Sequence, residues 1–125
     1  MMATLDTLEL GRVAEQKACD FLQSQGLKLV TRNFRCDLGE IDLIMREGED
    51  LIFIEVRSRG NQEDYGTALE SVSPAKQKKV IRSAVFYLLG ENLFNKIHCR
   101  FDIVSVSLKD YACEWVRNAF STNRY

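Results

Sequence analysis

Apolar residues near the N-terminus recur in a helical pattern. Between residues 7 and 25 they are spaced three and four positions apart, as on one face of an amphipathic helix, and Gly26 follows as a helix end. The same spacing returns between residues 74 and 89. There Ser73 is a suitable N-cap, Pro74 suits the first helical position, and Gly90 can end the helix. The sequence therefore predicts two helices.

Shorter runs that are rich in β-branched and aromatic residues predict strands. Four such runs occur, at residues 27–36, 40–46, 51–56 or a little beyond, and 99–108. The charged segment 47–50 is short enough to join the second and third strands as a hairpin with a four-residue loop.

Two further segments show neither pattern. Residues 58–72 are polar and contain glycine, which predicts a surface loop with one helical turn at residues 67–71. Residues 111–120 contain Trp115, Val116 and Phe120. These apolar side chains predict that the C-terminal tail docks onto the rest of the protein.

The predicted elements follow one another in the order αβββαβ. Such an order is typical of an α/β fold in which helices flank a mixed sheet. The chain has 125 residues, which is within the common range for one domain and short for two. We therefore predict a single domain over residues 1–125.

The overall charge does not favour any particular partner. Lysine and arginine total 17 and aspartate and glutamate 18, which gives a net charge of -1. A local basic cluster does open the second helix, formed by Lys76, Lys78, Lys79 and Arg82. Such a cluster can bind backbone phosphates, but it is also typical of a solvated helix face, and both interpretations stay open.

No secretion or membrane signal is visible in the sequence. The first residues carry acidic side chains and no long apolar run, so no membrane association is expected. The four cysteines have neither disulfide-framework nor zinc-site spacing, which is typical of free thiols in a reducing compartment. We expect a cytoplasmic protein.

The predicted hairpin brings two acidic residues together. With a loop at residues 47–50, counting outward along the strands gives the facing pairs Arg46 and Leu51, Ile44 and Phe53, Asp42 and Glu55, Glu40 and Arg57. All eight residues would then share one face of the sheet. Asp42 and Glu55 would have Cβ atoms about 5 Å apart, and like charges at that distance repel. A shared proton, a bound cation or a neighbouring base such as Arg57 could offset the repulsion.

A divalent metal would offset this repulsion and also supply chemistry. Mg²⁺ is commonly held by one or two carboxylates together with water and phosphate oxygens. We therefore expect Asp42 and Glu55 to bind Mg²⁺ or Mn²⁺, which would promote phosphodiester cleavage. The alternative is a solvated hairpin end with ordinary charges.

The residues around this pair resemble a known family. The segments GEIDLI, at residues 39–44, and FIEVRSR, at residues 53–59, are similar to the YraN family of endonuclease-like proteins. The resemblance extends to Gly11 and Glu15, to residues 32–33, to Lys76 and to residues 100–102, and so covers nearly the whole chain.

The resemblance implies a fold and an activity. The YraN family is assigned to the PD-(D/E)xK nuclease superfamily, whose core is also αβββαβ. By this similarity Asp42 and Glu55 are the two signature acids, Arg57 stands in the lysine position, and Glu15 is a further metal ligand or a water-holding residue. The implied activity is metal-dependent hydrolysis of DNA, with DNA favoured over RNA, on branched or single-stranded substrates. A homodimer would suit cleavage of two strands.

Arg57 departs from the superfamily signature, which leaves alternatives open. Arginine stays protonated and so cannot act as a general base, although it can bind a scissile phosphate. The chain could therefore be an inactive nucleic-acid-binding module of the same fold, or an assembly factor that uses its tail and loop. Arg59 is predicted to contact nucleic acid with Lys76, Lys79 and Arg82, unless Arg57 and Arg59 pair with Glu40 or Glu63.

Overall fold

The helices and strands follow one another in the order that the sequence predicts. The computed structural model describes residues 6–60 and 67–121, so Glu63 lies outside the described residues. The elements are α1 (Thr7–Ser24), β1 (Lys28–Cys36), β2 (Gly39–Glu47), β3 (Asp50–Arg59), α2 (Pro74–Gly90), β4 (Cys99–Ser107) and β5 (Cys113–Phe120). The αβββαβ core is confirmed, and one strand follows it.

The strands form one mixed sheet in the order β1-β2-β3-β4-β5. Strands β3 and β4 pair in parallel, and the other neighbours pair antiparallel. A parallel pair needs a crossover connection, and α2 lies within the segment that provides it. The two helices cover opposite faces of the sheet.

Two hydrophobic clusters result, one under each helix. On the α1 side Ala18 and Leu22 pack with Leu43 and Ile54. The α2 cluster has thirteen buried residues, namely Ile41, Ile44, Leu51, Phe53, Ala68, Val72, Val80, Ile81, Ala84, Leu88, Phe101, Ile103 and Phe120. Residues 51–54 of β3 alternate between the two clusters, so β3 is buried on both faces.

The β2–β3 hairpin has the predicted register but a tighter turn. Arg46 faces Leu51, as predicted, yet Glu47 and Asp50 are also paired. The loop is therefore two residues long rather than four, and Gly48 permits it with a φ of 60°. Strand β3 also continues through Arg59, so the connection to α2 starts later than residue 58. The turn predicted at residues 67–71 is confirmed by a 3.1 Å hydrogen bond from the amide of Ser71 to the carbonyl of Thr67.

The C-terminal tail docks as predicted, but it does so as a strand. β5 pairs antiparallel with β4, with Val104 facing Trp115 and Phe101 facing Phe120. The register shifts between Phe101 and Ile103, so the strand carries an irregularity that weakens its alternating pattern. Trp115 packs edge to face on Phe21 of α1, which gives it a docking role.

Neither described helix combines the length and the apolar composition that a membrane span requires.

Candidate active site

The two predicted acids meet where the β2–β3 ladder opens. Paired residues run from Glu47–Asp50 as far as Leu43–Ile54. Beyond that pair, Asp42 Oδ2 accepts the backbone N–H of Val56 at 2.8 Å, and the Asp42 and Glu55 side chains share a hydrogen bond. The structure thus brings Asp42 and Glu55 together, although ladder pairing has ceased at their level.

An irregularity in both β1 and β2 explains how Asp42 is oriented. Ile41 packs on the α2 side and Leu43 on the α1 side, although residues two apart in a regular strand share a face. In β1 the register pairs Arg32 with Leu43 and Phe34 with Ile41, and the intervening Asn33 has a φ of 55°. The predicted single face for all eight hairpin residues is therefore wrong, because the strands change faces next to Asp42.

Glu55 is a buried carboxyl, with 4% of its surface exposed. Burial disfavours its charged form, and the neighbouring Asp42 carboxylate adds repulsion. Together they raise the pKa of Glu55 to about 8. Without a bound cation the proton is therefore retained at neutral pH, and the Asp42–Glu55 pair carries less than its full negative charge.

Asp42 is partly buried, and more of its neighbours oppose the resulting rise in its pKa. Burial raises its pKa, while the Val56 amide and the hydrogen bond with Glu55 oppose the rise. A hydrogen bond between two carboxyls requires a proton on one of them, which is one of the compensations expected from the sequence.

Glu15 reaches the site from α1. Burial raises its pKa, and the charge of Asp42 raises it further, while a hydrogen bond with the Asn33 side chain lowers it. Its charge is therefore close enough to interact with that of Asp42. Glu15 also lines a cleft of about 370 Å³ together with Arg12, Asn33 and Arg35.

Two cations flank the acids from the other face. Arg57 Nη1 and Lys76 Nζ each lie 3.8 Å from Glu55 Oε2. Arg57 comes from β3, two residues after Glu55, whereas Lys76 comes from the first turn of α2. Both charges oppose the rise in the pKa of Glu55. The site is therefore a cluster of carboxyls and cations at one end of the hairpin.

One predicted pairing of the site residues is not found. Glu40 pairs with Arg35, at 3.2 Å, instead of facing Arg57. The reason is that β2 and β3 have separated at this level, while β1 and β2 remain paired through Cys36 and Gly39. Glu40 still contributes repulsion that raises the pKa of both Asp42 and Glu15.

The other predicted nucleic-acid contacts are dispersed. Burial raises the pKa of Cys113, and the charge of Arg59 opposes this rise, so Arg59 lies near the start of β5. Lys79 lies over Gly39, and Arg82 lines an apolar hollow beside Leu38. Lys76 of this group contacts the acid pair, and phosphate binding by the remaining residues stays a prediction.

The donor set suits a hard divalent cation. Carboxylate oxygens are the ligands that Mg²⁺ and Mn²⁺ prefer, and a bound cation would offset the burial and the repulsion from Asp42 that raise the pKa of Glu55. Within residues 6–60 and 67–121, no three His, Cys, Asp or Glu side chains are arranged to hold a metal. The residues therefore fit a metal with two protein carboxylates and further oxygens from water or substrate, with Glu15 nearby.

Asn33 is a site residue for which the sequence pattern predicts no role, although residues 32–33 belong to the family resemblance. Its left-handed backbone lies where the strands change faces, and its side chain binds Glu15. Asparagine tolerates positive φ better than most residues do. The available signal was Asn33 within a run of β-forming residues, since asparagine is disfavoured in strands.

Comparison with known proteins identifies the family. Residues 14–106 match the model of the uncharacterised protein family UPF0102. A UPF0102 protein of Legionella pneumophila strain Corby is 45% identical over 91% of this chain and 96% of its own length. One from Nitrosospira multiformis is 50% identical over 94% of this chain and 98% of its own.

One solved structure shows a weaker similarity. The SfsA protein of Pyrococcus furiosus, in complex with Ca²⁺, aligns with 92% of this chain and 65% of its own length. The identity is 16% and the TM-score 0.35, so this match supports no conclusion. The family model and the relatives, in contrast, cover most of the sequence, and the chain belongs to UPF0102, the YraN family.

Proposed function

We propose that this protein is a divalent-metal-dependent endonuclease that hydrolyses DNA phosphodiester bonds, with Asp42 and Glu55 as metal ligands. The observation that carries the proposal is the buried, hydrogen-bonded pair of carboxyls at the open end of the β2–β3 ladder. Two carboxyls buried side by side are costly, and such groups with raised pKa values are common at sites where a cation or a reaction makes use of them.

The residues of the site would have different roles around the scissile phosphate. Asp42 and Glu55 would hold Mg²⁺ or Mn²⁺, with Glu15 as a further ligand or a water-holding residue. The metal, when bound, supplies Lewis acidity that favours attack by water on phosphorus. Arg57, 41% exposed at its side chain, can donate to non-bridging oxygens and stabilise the charge that builds up on them.

The overall reaction is an in-line displacement at phosphorus. Water adds to phosphorus, the bond to one ester oxygen breaks, and the departing oxygen takes a proton to become a hydroxyl. The other product is a terminal phosphate monoester.

The substrate would be a nucleic acid strand that can enter a recessed site. Glu55 is 4% exposed, and the neighbouring cleft is lined by Glu15, Arg12 and Arg35. A single-stranded or branched DNA can bring a phosphate into such a recess more readily than a rigid duplex can. The net charge of -1 requires that binding rely on local cations of this kind.

Metal binding and cleavage should be tested on the same set of variants. Isothermal titration of Mn²⁺ into the full chain is expected to show binding that Asp42→Asn and Glu55→Gln both abolish. Asp20→Asn is a matched control because Asp20 is an exposed acid on α1. Cleavage of end-labelled single-stranded, branched and duplex DNA should require Mn²⁺ or Mg²⁺ and stop with EDTA.

Two results would contradict the proposal. Cleavage that both acid variants retain would exclude these residues as the active site. DNA binding without cleavage of any substrate would instead indicate an inactive binding module of the same fold.

A further inference from the structure

The structure contains a lysine at the acid pair even though the strand signature lacks one. Strand β3 presents Glu55 and then Arg57, so the superfamily's lysine position holds an arginine. Lys76 Nζ nevertheless lies 3.8 Å from Glu55 Oε2, the same oxygen that Arg57 approaches. We propose that Lys76, supplied by α2, performs the role of the missing strand lysine. This inference rests on the proposed nuclease function.

Lys76 is closer to the centre of the site than its sequence position suggests. Its charge opposes the rise in the pKa of both Asp42 and Glu55. Its side chain is 33% exposed, so it is partly enclosed yet remains accessible to a substrate. A cation that faces both acids lies beside the position where a metal and a scissile phosphate would be held.

The start of α2 fixes this position. Ser73 caps the helix by accepting the amide of Lys76 at 3.1 Å, and Pro74 occupies the first turn. Further along, α2 approaches the backbone of Gly39 so closely that an added Cβ would lie 3.0 Å from Ser83 Oγ. These contacts hold the helix against the β1–β2 turn, and Lys76 is thereby aimed at the end of the hairpin.

The two cations suit different tasks. An ammonium group is a compact point charge with three donors on a flexible stem, whereas a guanidinium is a planar fork that matches phosphate oxygens. Lys76 would therefore donate to the attacking water and to one phosphate oxygen, and Arg57 would hold the phosphate in place. The ammonium acts throughout as a charged donor.

A lysine swap between the two elements tests the assignment. The variants are Lys76→Ala, Lys76→Gln, Arg57→Lys and the double variant Arg57→Lys with Lys76→Ala, all in the full chain. Lys96→Ala is the matched control, because Lys96 is a lysine outside the site whose Nζ donates to Asn92 Oδ1 at 3.0 Å. For each protein, kcat and KM are measured on single-stranded DNA with Mn²⁺, and Mn²⁺ binding is measured by titration.

The expected result is specific to kcat. Removal of Lys76 should lower kcat by about 100-fold or more, as the loss of one donor to a developing charge does elsewhere. KM should change little, and Mn²⁺ binding should persist. The double variant, which returns a lysine to β3, should recover at least about a tenth of the lost rate, while Lys96→Ala should match the unmodified chain.

Other outcomes separate this inference from the proposed function. If the unmodified chain cleaves DNA and Lys76→Ala and Lys76→Gln retain kcat, or change KM alone, the role of Lys76 is wrong and the nuclease proposal stands. If the Lys76 variants lose Mn²⁺ binding or unfold earlier on heating, Lys76 is structural. If the unmodified chain cleaves nothing, both proposals fail together.

Discussion

Asp42 Oδ2 accepts the backbone N–H of Val56 at 2.8 Å, at the point where β2 and β3 stop pairing. A side chain here satisfies a strand amide that would otherwise lack its partner across the ladder. The carboxyl that we assign to metal binding is therefore also a structural acceptor, and its orientation is fixed before any ligand binds.

This double role predicts different effects for two substitutions of Asp42. Asp42→Asn keeps an acceptor oxygen for the Val56 amide, so the free energy of unfolding should change by less than about 1 kcal/mol. Asp42→Ala leaves that amide unsatisfied and should cost about 1–3 kcal/mol. Urea unfolding at pH 5.5, followed by circular dichroism, measures both. Equal stability of the two variants would show that the hydrogen bond contributes nothing.

The pKa of Glu55 predicts how stability depends on pH. Its pKa of about 8 in the folded chain exceeds the ordinary value of 4.5. Between these values the unfolded chain has released a proton that the folded chain still holds. The free energy of unfolding should therefore fall as pH rises from about 4.5 to 8, and level off above the folded pKa.

Glu55→Gln tests this dependence because glutamine stays neutral at every pH. The variant should be more stable than the unmodified chain at pH 8.5, on the order of a few kcal/mol, since one unit of pKa shift corresponds to about 1.4 kcal/mol. At pH 4 the two should differ little. Urea titrations at both pH values give the comparison, and Glu114→Gln on the exposed side of β5 serves as the control. A Glu55→Gln variant with unchanged pH dependence would mean that Glu55 ionises normally.

The close approach of α2 to Gly39 predicts that a side chain at this position destabilises the protein. Its φ is 148°, and a Cβ at this position would lie 3.0 Å from Ser83 Oγ, whose hydroxyl donates to the carbonyl of Lys79 at 2.8 Å. Gly39→Ala should therefore destabilise the protein by about 1–3 kcal/mol and displace the start of α2. Gly11→Ala is the opposite control, since Gly11 lies in α1 with open space around it and alanine favours helices. Thermal melts should lower the Tm for Gly39→Ala and leave it equal or raised for Gly11→Ala.

The hairpin shows why much of the site could be predicted from the sequence. Alternation along β2 and β3, together with a short charged turn, is enough to set Ile44 opposite Phe53. Counting from that pair brings Asp42 near Glu55 without any tertiary information. The helices are equally local features, because Ser73 and Pro74 define the start of α2 by themselves.

What the sequence did not reveal depends on contacts between distant segments. Asn33 has a left-handed backbone where β1 and β2 change faces, and an asparagine among β-forming residues marks the position but does not specify this conformation. The reach of Lys76 depends on the packing of α2 over Gly39. Strand β5 has a left-handed Asn118 next to Arg117, and this polar interruption hides its alternation.

The contacts of Asp102 stabilise the position of β5. This fully buried carboxylate accepts from Trp115 Nε1 at 2.9 Å, from the amide of Asn118 at 2.8 Å and from Arg100 Nε at 3.0 Å. Arg100 in turn contacts Glu47 at 2.9 Å. The carboxylate thus joins β4 to β5, and the arginine joins the same network to the end of β2.

Removal of Asp102 should therefore loosen the C-terminal strand first. Asp102→Ala leaves a largely buried arginine without its main partner and should cost about 3–5 kcal/mol. Trp115→Phe removes one donor and should cost about 1–2 kcal/mol, whereas the exposed Asp20→Ala should stay within about 0.5 kcal/mol. Hydrogen exchange should show amides of residues 113–120 losing protection before those of β2 and β3. Uniform loss of protection across the whole sheet would mean that β5 unfolds with the core and that Asp102 does not stabilise β5 locally.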